Sequence, residues 1–281
     1  MQSTNKIQLI LIVLVGGLVA FIFFKGKNDP KALTSGDKEV KKQQDIDNNR
    51  GYFDQFKRNA KSSVSDSLSK KITDLERSLA NASRDTNIIK KLGQTWEQAE
   101  KPGIAAYYYE KIAQQTPSTF TWYRAADNYY EAQKVASDST LFNYFVDKSI
   151  DNFQKVLDKD PSNLNAKADL AVAYIEGRGE VMKGVGLLKE VEQVNPNHRK
   201  ALFYLGVLSI RSQQYEKALD RFQKLVEIEP ENAFNFFYLG RVHRALDNKA
   251  DAIKAFKQYK SGVQDPKLKQ NANDLIKSLK N

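Results

Sequence analysis

Residues Ala201–Pro230 read ALFYLGVLSIRSQQYEKALDRFQKLVEIEP. The stretch predicts two antiparallel amphipathic helices. Gly206 and Ala218 are small, which lets the two helices approach closely. Leu205 and Phe222 fill the layer between one hairpin and the next. Pro230 cannot continue a helix and ends the second one. One such hairpin cannot bury its own apolar faces, so neighbours have to stack.

The same residues return on either side. Leu239-Gly240, Ala252 and Phe256 repeat Leu205-Gly206, Ala218 and Phe222 with a shift of 34. Leu92-Gly93, Trp96, Ala105, Tyr109 and Pro117 hold the same relative positions upstream. Leu170-Ala171-Tyr174, Gly184, Leu188 and Pro196 make another unit, with one extra residue placed in its inter-helix turn. Trp122, Ala125, Ala126, Tyr129, Phe153 and Pro161 make one more, with a long insertion over residues 132–147. Its Phe142, Tyr144 and Phe145 are expected to pack locally on a lengthened second helix. Five units result: 86–118, 119–163, 164–198, 199–232 and 233–266. The last departs from the pattern, with Lys249 and Gln264 where the unit before it has Tyr215 and Pro230. A final helix over 267–281 offers Leu268, Ala272, Leu275, Ile276 and Leu279 on one face and caps the open end.

The 34-residue period and these positions resemble the tetratricopeptide-repeat (TPR) family. The resemblance covers residues 86–266. It implies an all-α superhelix that binds rather than catalyses, with the first helix of each unit lining a concave groove. Carried onto this sequence, the fourth unit presents Lys200, Phe203, Tyr204, Val207, Ile210 and Arg211 to that groove. The fifth presents Phe234, Phe237, Tyr238, Arg241 and Arg244. The candidate partner site is therefore Phe203, Tyr204, Arg211, Phe234, Phe237, Tyr238, Arg241 and Arg244. An aromatic floor with a basic edge suits an extended or helical peptide with apolar anchors and acidic groups. The competing reading is that these rings are core between repeats. The family's clamp for C-terminal carboxylates would fall on Lys90, Gln94, Arg124, Asn165 and Asp169. Only Lys90 fits, and Asp169 would repel a carboxylate. The first unit's groove positions Asn87, Lys90, Lys91, Gln94 and Glu97 read as a solvated polar face.

Ahead of the repeats, Ile7–Phe24 reads IQLILIVLVGGLVAFIFF, 18 residues without a charge. A helix of this length is about 27 Å long, enough to cross most of a bilayer core of about 30 Å. A cleaved signal peptide is the alternative. Leu18-Val19-Ala20 is a poor cleavage site, and the apolar run continues past it. After a short tail at 1–6 and the span at 7–24, residues 25–50 are polar and read as a tether. Phe53, Phe56, Ala60, Val64, Leu68, Ile72, Leu75 and Leu79 then recur every three or four residues. They predict one amphipathic helix of about eight turns within 51–85. Its stripe over 53–79 either caps the first repeat or pairs with a second copy as a coiled coil.

Composition removes other classes. With no Cys there is no disulfide, thiol nucleophile or lipoprotein anchor, and with two His a multi-histidine metal site is nearly excluded. No cofactor is expected. Glu176-Gly177-Arg178-Gly179-Glu180 sits in a helix-hairpin turn and is not a phosphate loop. His198 and His243 lack nucleophile partners. The 44 basic and 34 acidic residues, net +10, are interleaved, which argues against a nucleic-acid stripe and allows attraction to an anionic membrane surface.

The resulting expectation is a scaffold or adaptor held in a bacterial inner membrane by residues 7–24. Its repeats bind a protein partner and are placed on the periplasmic side. A strict count of flanking lysines favours the cytoplasm instead. The resemblance points to an accessory subunit of an envelope or secretion machine. A chaperone-like ancillary of the Sec translocon and a self-assembly module acting through the 53–79 stripe are the alternatives.

Overall fold

The structure, a computed structural model, describes residues 51–280. The expected tail at 1–6, span at 7–24 and tether at 25–50 lie outside the described residues. Among the described residues, no helix is long and apolar enough to cross a membrane. The chain divides into two units, Met1–Phe56 and Lys57–Asn281. Of the first, residues 51–56 are described; they are helical, and the Phe53 and Phe56 rings lie 6.1 Å apart.

In the second unit, all regular structure among the described residues is helical. Residues 57–62 are helical and are followed by α1, Asp66–Asn81. The expected eight-turn helix is therefore broken at 63–65. Serines cause the break, because their hydroxyls compete for backbone groups. Ser62 and Ser63 donate to the carbonyls of Asn59 and Ala60 at 2.7 and 2.8 Å. Ser65 accepts the Leu68 amide and caps α1. Lys61 then pairs with Glu76 at 2.6 Å, tying 57–62 to α1. Ile72, at the centre of the stripe, is fully buried, and α1 lies against the next helix.

Helical hairpins follow. They are α2 Thr86–Gln98 with α3 Pro102–Gln115, and α4 Thr119–Lys134 with α5 Ser139–Lys159. Next come α6 Leu164–Val172 with α7 Val181–Val194, and α8 Arg199–Arg211 with α9 Tyr215–Ile228. The last pair is α10 Ala233–Ala245 with α11 Lys249–Gly262, and α12 Pro266–Lys280 closes the array. The helices α2, α4, α6, α8 and α10 each begin at a side-chain cap: Asp85, Ser118, Asn163, His198 and Asn232. Each cap accepts an amide proton that the first turn leaves unpaired.

The core is a ladder of clusters, each shared by adjacent hairpins. Phe222 stacks on Tyr238 of the following hairpin, ring centres 5.2 Å apart. Gly206 faces the ring of Phe222 within its own hairpin, where a Cβ would sit 2.8 Å from it. At the far end Ala272 is buried with Ala233, Tyr259 and Val263, and Leu268 packs against them, so α12 covers the last hairpin.

Two irregularities stand out. The 132–147 insertion extends α5 to 21 residues, and its Tyr144 and Phe145 pack against Tyr129 at 6.2 Å. In the third unit the extra residue is not in the turn. It is wound into the end of α6 as a π-helical segment, Ala173–Arg178. The Glu180 amide there reaches back to the Tyr174 carbonyl at 2.9 Å, whereas in the next hairpin Gln214 reaches only to Ser209. One added residue per turn is what a π-helix accommodates.

Candidate functional site

The candidate groove is the face that the repeat register assigns to α2, α4, α6, α8 and α10. At its carboxyl-terminal end the sequence-derived residues come together, though not as a free aromatic floor. Phe203 lies 5.3 Å from Tyr238, Phe237 5.1 Å from Tyr259, and Phe234 5.7 Å from Tyr259. Phe203, Phe234 and Phe237 are half-buried and Tyr238 is buried, so these rings pack between the repeats and reach the surface only in part. The Arg241 guanidinium sits 5.9 Å from both the Phe237 and Tyr238 ring centres. Arg211 and Arg244 are exposed. Among the described residues, none of these three arginines has a carboxylate within 4.0 Å.

Tyr204 is engaged differently. Its hydroxyl donates to Glu176 at 2.8 Å, and Tyr130 donates to the other oxygen of the same carboxylate at 2.6 Å. Burial and the Glu176 charge hold both phenols well above their ordinary range, so both remain donors. Glu176 lies in the π-helical segment, so the inserted residue supplies a bridge from α4 to α8. Asp169 makes a second bridge, accepting from Tyr123 on α4 and Lys200 on α8. Glu97 makes a third, receiving Arg124 at 2.6 Å, the Tyr109 hydroxyl at 2.7 Å and Asn128 at 3.3 Å. Burial and Glu97 push the Tyr109 phenol up to about 12. Glu97, Asp169 and Glu176 are thus occupied from within.

Of the clamp-matching positions, Arg124 is held by Glu97, Asp169 by Lys200, and Asn165 contacts the His198 ring at 3.1 Å. Lys90 is exposed. It stands at the mouth of a cavity of about 470 Å³ between α2, α3 and α4, beside Gln94, Ile112, Phe120 and Arg124. The solvated polar face expected there is thus one wall of a pocket. Phe120, 73% exposed, was not among the sequence candidates. It shares the register of Lys200 and Phe234, counted from Ala126, Gly206 and Gly240, so the groove rule used for the last two units finds it. Among the described residues, no group of three His, Cys, Asp or Glu could hold a metal ion.

Known proteins agree with this fold. Residues 199–232 and 235–261 each match the tetratricopeptide repeat family. The MamA fragment 41-end from Desulfovibrio magneticus RS-1 superposes with a TM-score of 0.51 at 17% identity, covering 63% of this chain and 94% of that one. A further MamA crystal structure gives 0.50 at 17% identity, covering 61% and 94%. The chain is also 25% identical over 154 residues to ypp1, named as a candidate cargo-transport protein of Schizosaccharomyces pombe. That match takes in 54% of this chain and spans only 16% of the relative's length. The chain carries tetratricopeptide repeats, and its described part is an all-helical repeat solenoid.

Proposed function

We propose that this chain is a membrane-anchored scaffold whose concave face binds a protein or peptide partner. The observation that carries the reading is the carboxyl-terminal end of the groove. There, Arg241 lies beside the half-buried Phe237 and the buried Tyr238, Arg211 and Arg244 are exposed, and among the described residues none of the three cations has a carboxylate within 4.0 Å. Cations left unpaired beside desolvated rings favour a ligand with apolar anchors and acidic groups. The uncharged run at Ile7–Phe24 supports the anchor, and the polar residues 25–50 support a tether. On this reading the protein is an accessory subunit of an envelope or secretion machine in a bacterial inner membrane, with the repeats on the periplasmic side.

Crosslinking in native membranes followed by mass spectrometry of co-purified proteins tests the reading. Reversing Arg211, Arg241 and Arg244 to Glu in the full-length chain is expected to remove the partner that the wild type captures. An unchanged partner profile would sink the groove reading. Protease treatment of intact spheroplasts tests the placement, since repeats on the periplasmic side are cut and cytoplasmic ones are protected.

A further inference from the structure

We propose that α11 and α12 form a lysine surface that docks on anionic phospholipid, so that the carboxyl-terminal end of the array lies against a bilayer. This rests on the anchor at residues 7–24 and is independent of what the concave face binds.

Charge is the first reason. The interleaving of opposite charges breaks at residues 249–280, which hold eight Lys, three Asp and no Arg or Glu. Their net charge of +5 is half of the chain's +10. Several lysines of earlier helices find carboxylates: Lys148 meets Glu110 at 2.9 Å, Lys167 meets Glu190 at 2.9 Å and Lys224 meets Asp220 at 3.1 Å. Among the described residues, no lysine of α11 or α12 has a carboxylate within 4.0 Å. The acids of this segment are engaged otherwise or stand apart. Asp265 accepts the Lys267 amide at 2.7 Å, Asp274 accepts from the Gln270 side chain at 2.9 Å, and Asp251 is exposed. Placement is the second reason. Ala252, Phe256 and Tyr259 of α11 and Ala272 of α12 are buried, which fixes both helices with their lysine-bearing sides outward. Lys254, Lys257 and Lys260 stand three residues apart and line one side of α11, and Lys277 and Lys280 do the same near the end of α12.

The residue types choose the partner. A lysine ammonium is a strongly hydrated point charge on a flexible stem, suited to a dense layer of phosphate headgroups and not to one fixed anion. Nucleic-acid surfaces add arginines and exposed rings on which bases stack. This segment has no Arg, and its two rings, Phe256 and Tyr259, are buried. The uncharged run at Ile7–Phe24 supplies the bilayer, and the chain between it and the array has the reach. Residues 25–50 can span at most about 90 Å. A surface tethered to its target needs only weak contacts, because attachment raises its effective concentration.

The test uses the full-length chain reconstituted in lipid nanodiscs, of phosphatidylcholine alone or of an equal mixture with phosphatidylglycerol. The chain has no Cys, so Ser278→Cys places a single dye on the exposed side of α12, and Gln193→Cys places it on the exposed side of α7 as the control. Energy transfer to a labelled lipid is measured. Transfer from position 278 is expected to be higher in the anionic discs than in the neutral ones, with a smaller response from position 193. The rise is expected to vanish at about 1 M salt, where the Debye length falls to about 3 Å, and in Lys254→Glu/Lys257→Glu/Lys277→Glu/Lys280→Glu. These four side chains are exposed, so their reversal removes no core contact, and the salt measurement needs no variant. Equal transfer in the two discs, or a rise that survives lysine reversal, would overturn the proposal. No lipid response together with retention of polyuridylate by the same lysines would assign them to nucleic acid instead. A chain that co-elutes with neither disc would defeat the anchor as well. Co-elution without a lipid response removes the docking surface and leaves the anchor standing.

Discussion

Gly206 and Gly186 both lie inside helices, yet substitution by Ala is expected to act in opposite directions. An Ala gains about 0.5–1 kcal/mol over Gly in a helix interior through lower backbone entropy. At Gly186 nothing lies within 4 Å of the added Cβ, so that gain is expected in full. At Gly206 the Cβ would meet the Phe222 ring at 2.8 Å. Phe222 is fully buried and stacked on Tyr238, so it cannot swing aside. Overpacking of this kind costs about 1–3 kcal/mol, which exceeds the gain. The urea midpoint should rise for Gly186→Ala and fall for Gly206→Ala. Equal shifts would mean that Gly206 is not a contact point between the helices of its hairpin.

Helix starts carry the next consequence. The cap of α8 is His198, whose Nδ1 accepts the Ala201 amide at 3.3 Å while Nε2 faces Asn165. Only an unprotonated ring nitrogen can accept. Burial holds this imidazole below its ordinary value of 6.5, with the neighbouring Arg199 acting in the same direction. The folded state therefore disfavours the proton, and the contribution is complete above pH 6.5 and is lost as pH falls below it. His198→Asn keeps an acceptor that does not titrate. A cap is worth about 1 kcal/mol, or roughly 2–4 °C in a protein of this size. The fall in melting temperature between pH 7.5 and pH 5 should shrink by about that amount in the variant. An unchanged fall would rule out His198 as the titrating cap. The hairpins themselves were legible because Gly, Ala, Phe and Pro recur at a fixed period. The break at 63–65 was not, because Val64 keeps the apolar spacing while Ser62, Ser63 and Ser65 redirect the backbone. The π-helical segment was hidden for a related reason: spacing reveals one extra residue but not which turn absorbs it.

Across the array, carboxylates of the early units and arginines of the last two differ in whether they are paired. Glu97, Asp169 and Glu176 bind partners on neighbouring hairpins and bridge the first four units. Arg211, Arg241 and Arg244 in the last two have no such partners among the described residues. The repeat register predicts which residues face the groove. It did not show which rings the packing consumes, because ring contacts such as Phe203 with Tyr238 depend on the angle between hairpins. Phe120 was legible as well, six residues before Ala126 as Lys200 is before Gly206, because the insertion begins only after both.

The most direct test of partner binding by the concave face is a paired photocrosslinking measurement on the full-length chain in native membranes. One photoreactive residue replaces Arg244 on α10, and another replaces Gln223, which is exposed on α9. A partner adduct is expected from position 244 and not from 223. Equal adducts from both, or an adduct from 223 alone, would contradict it.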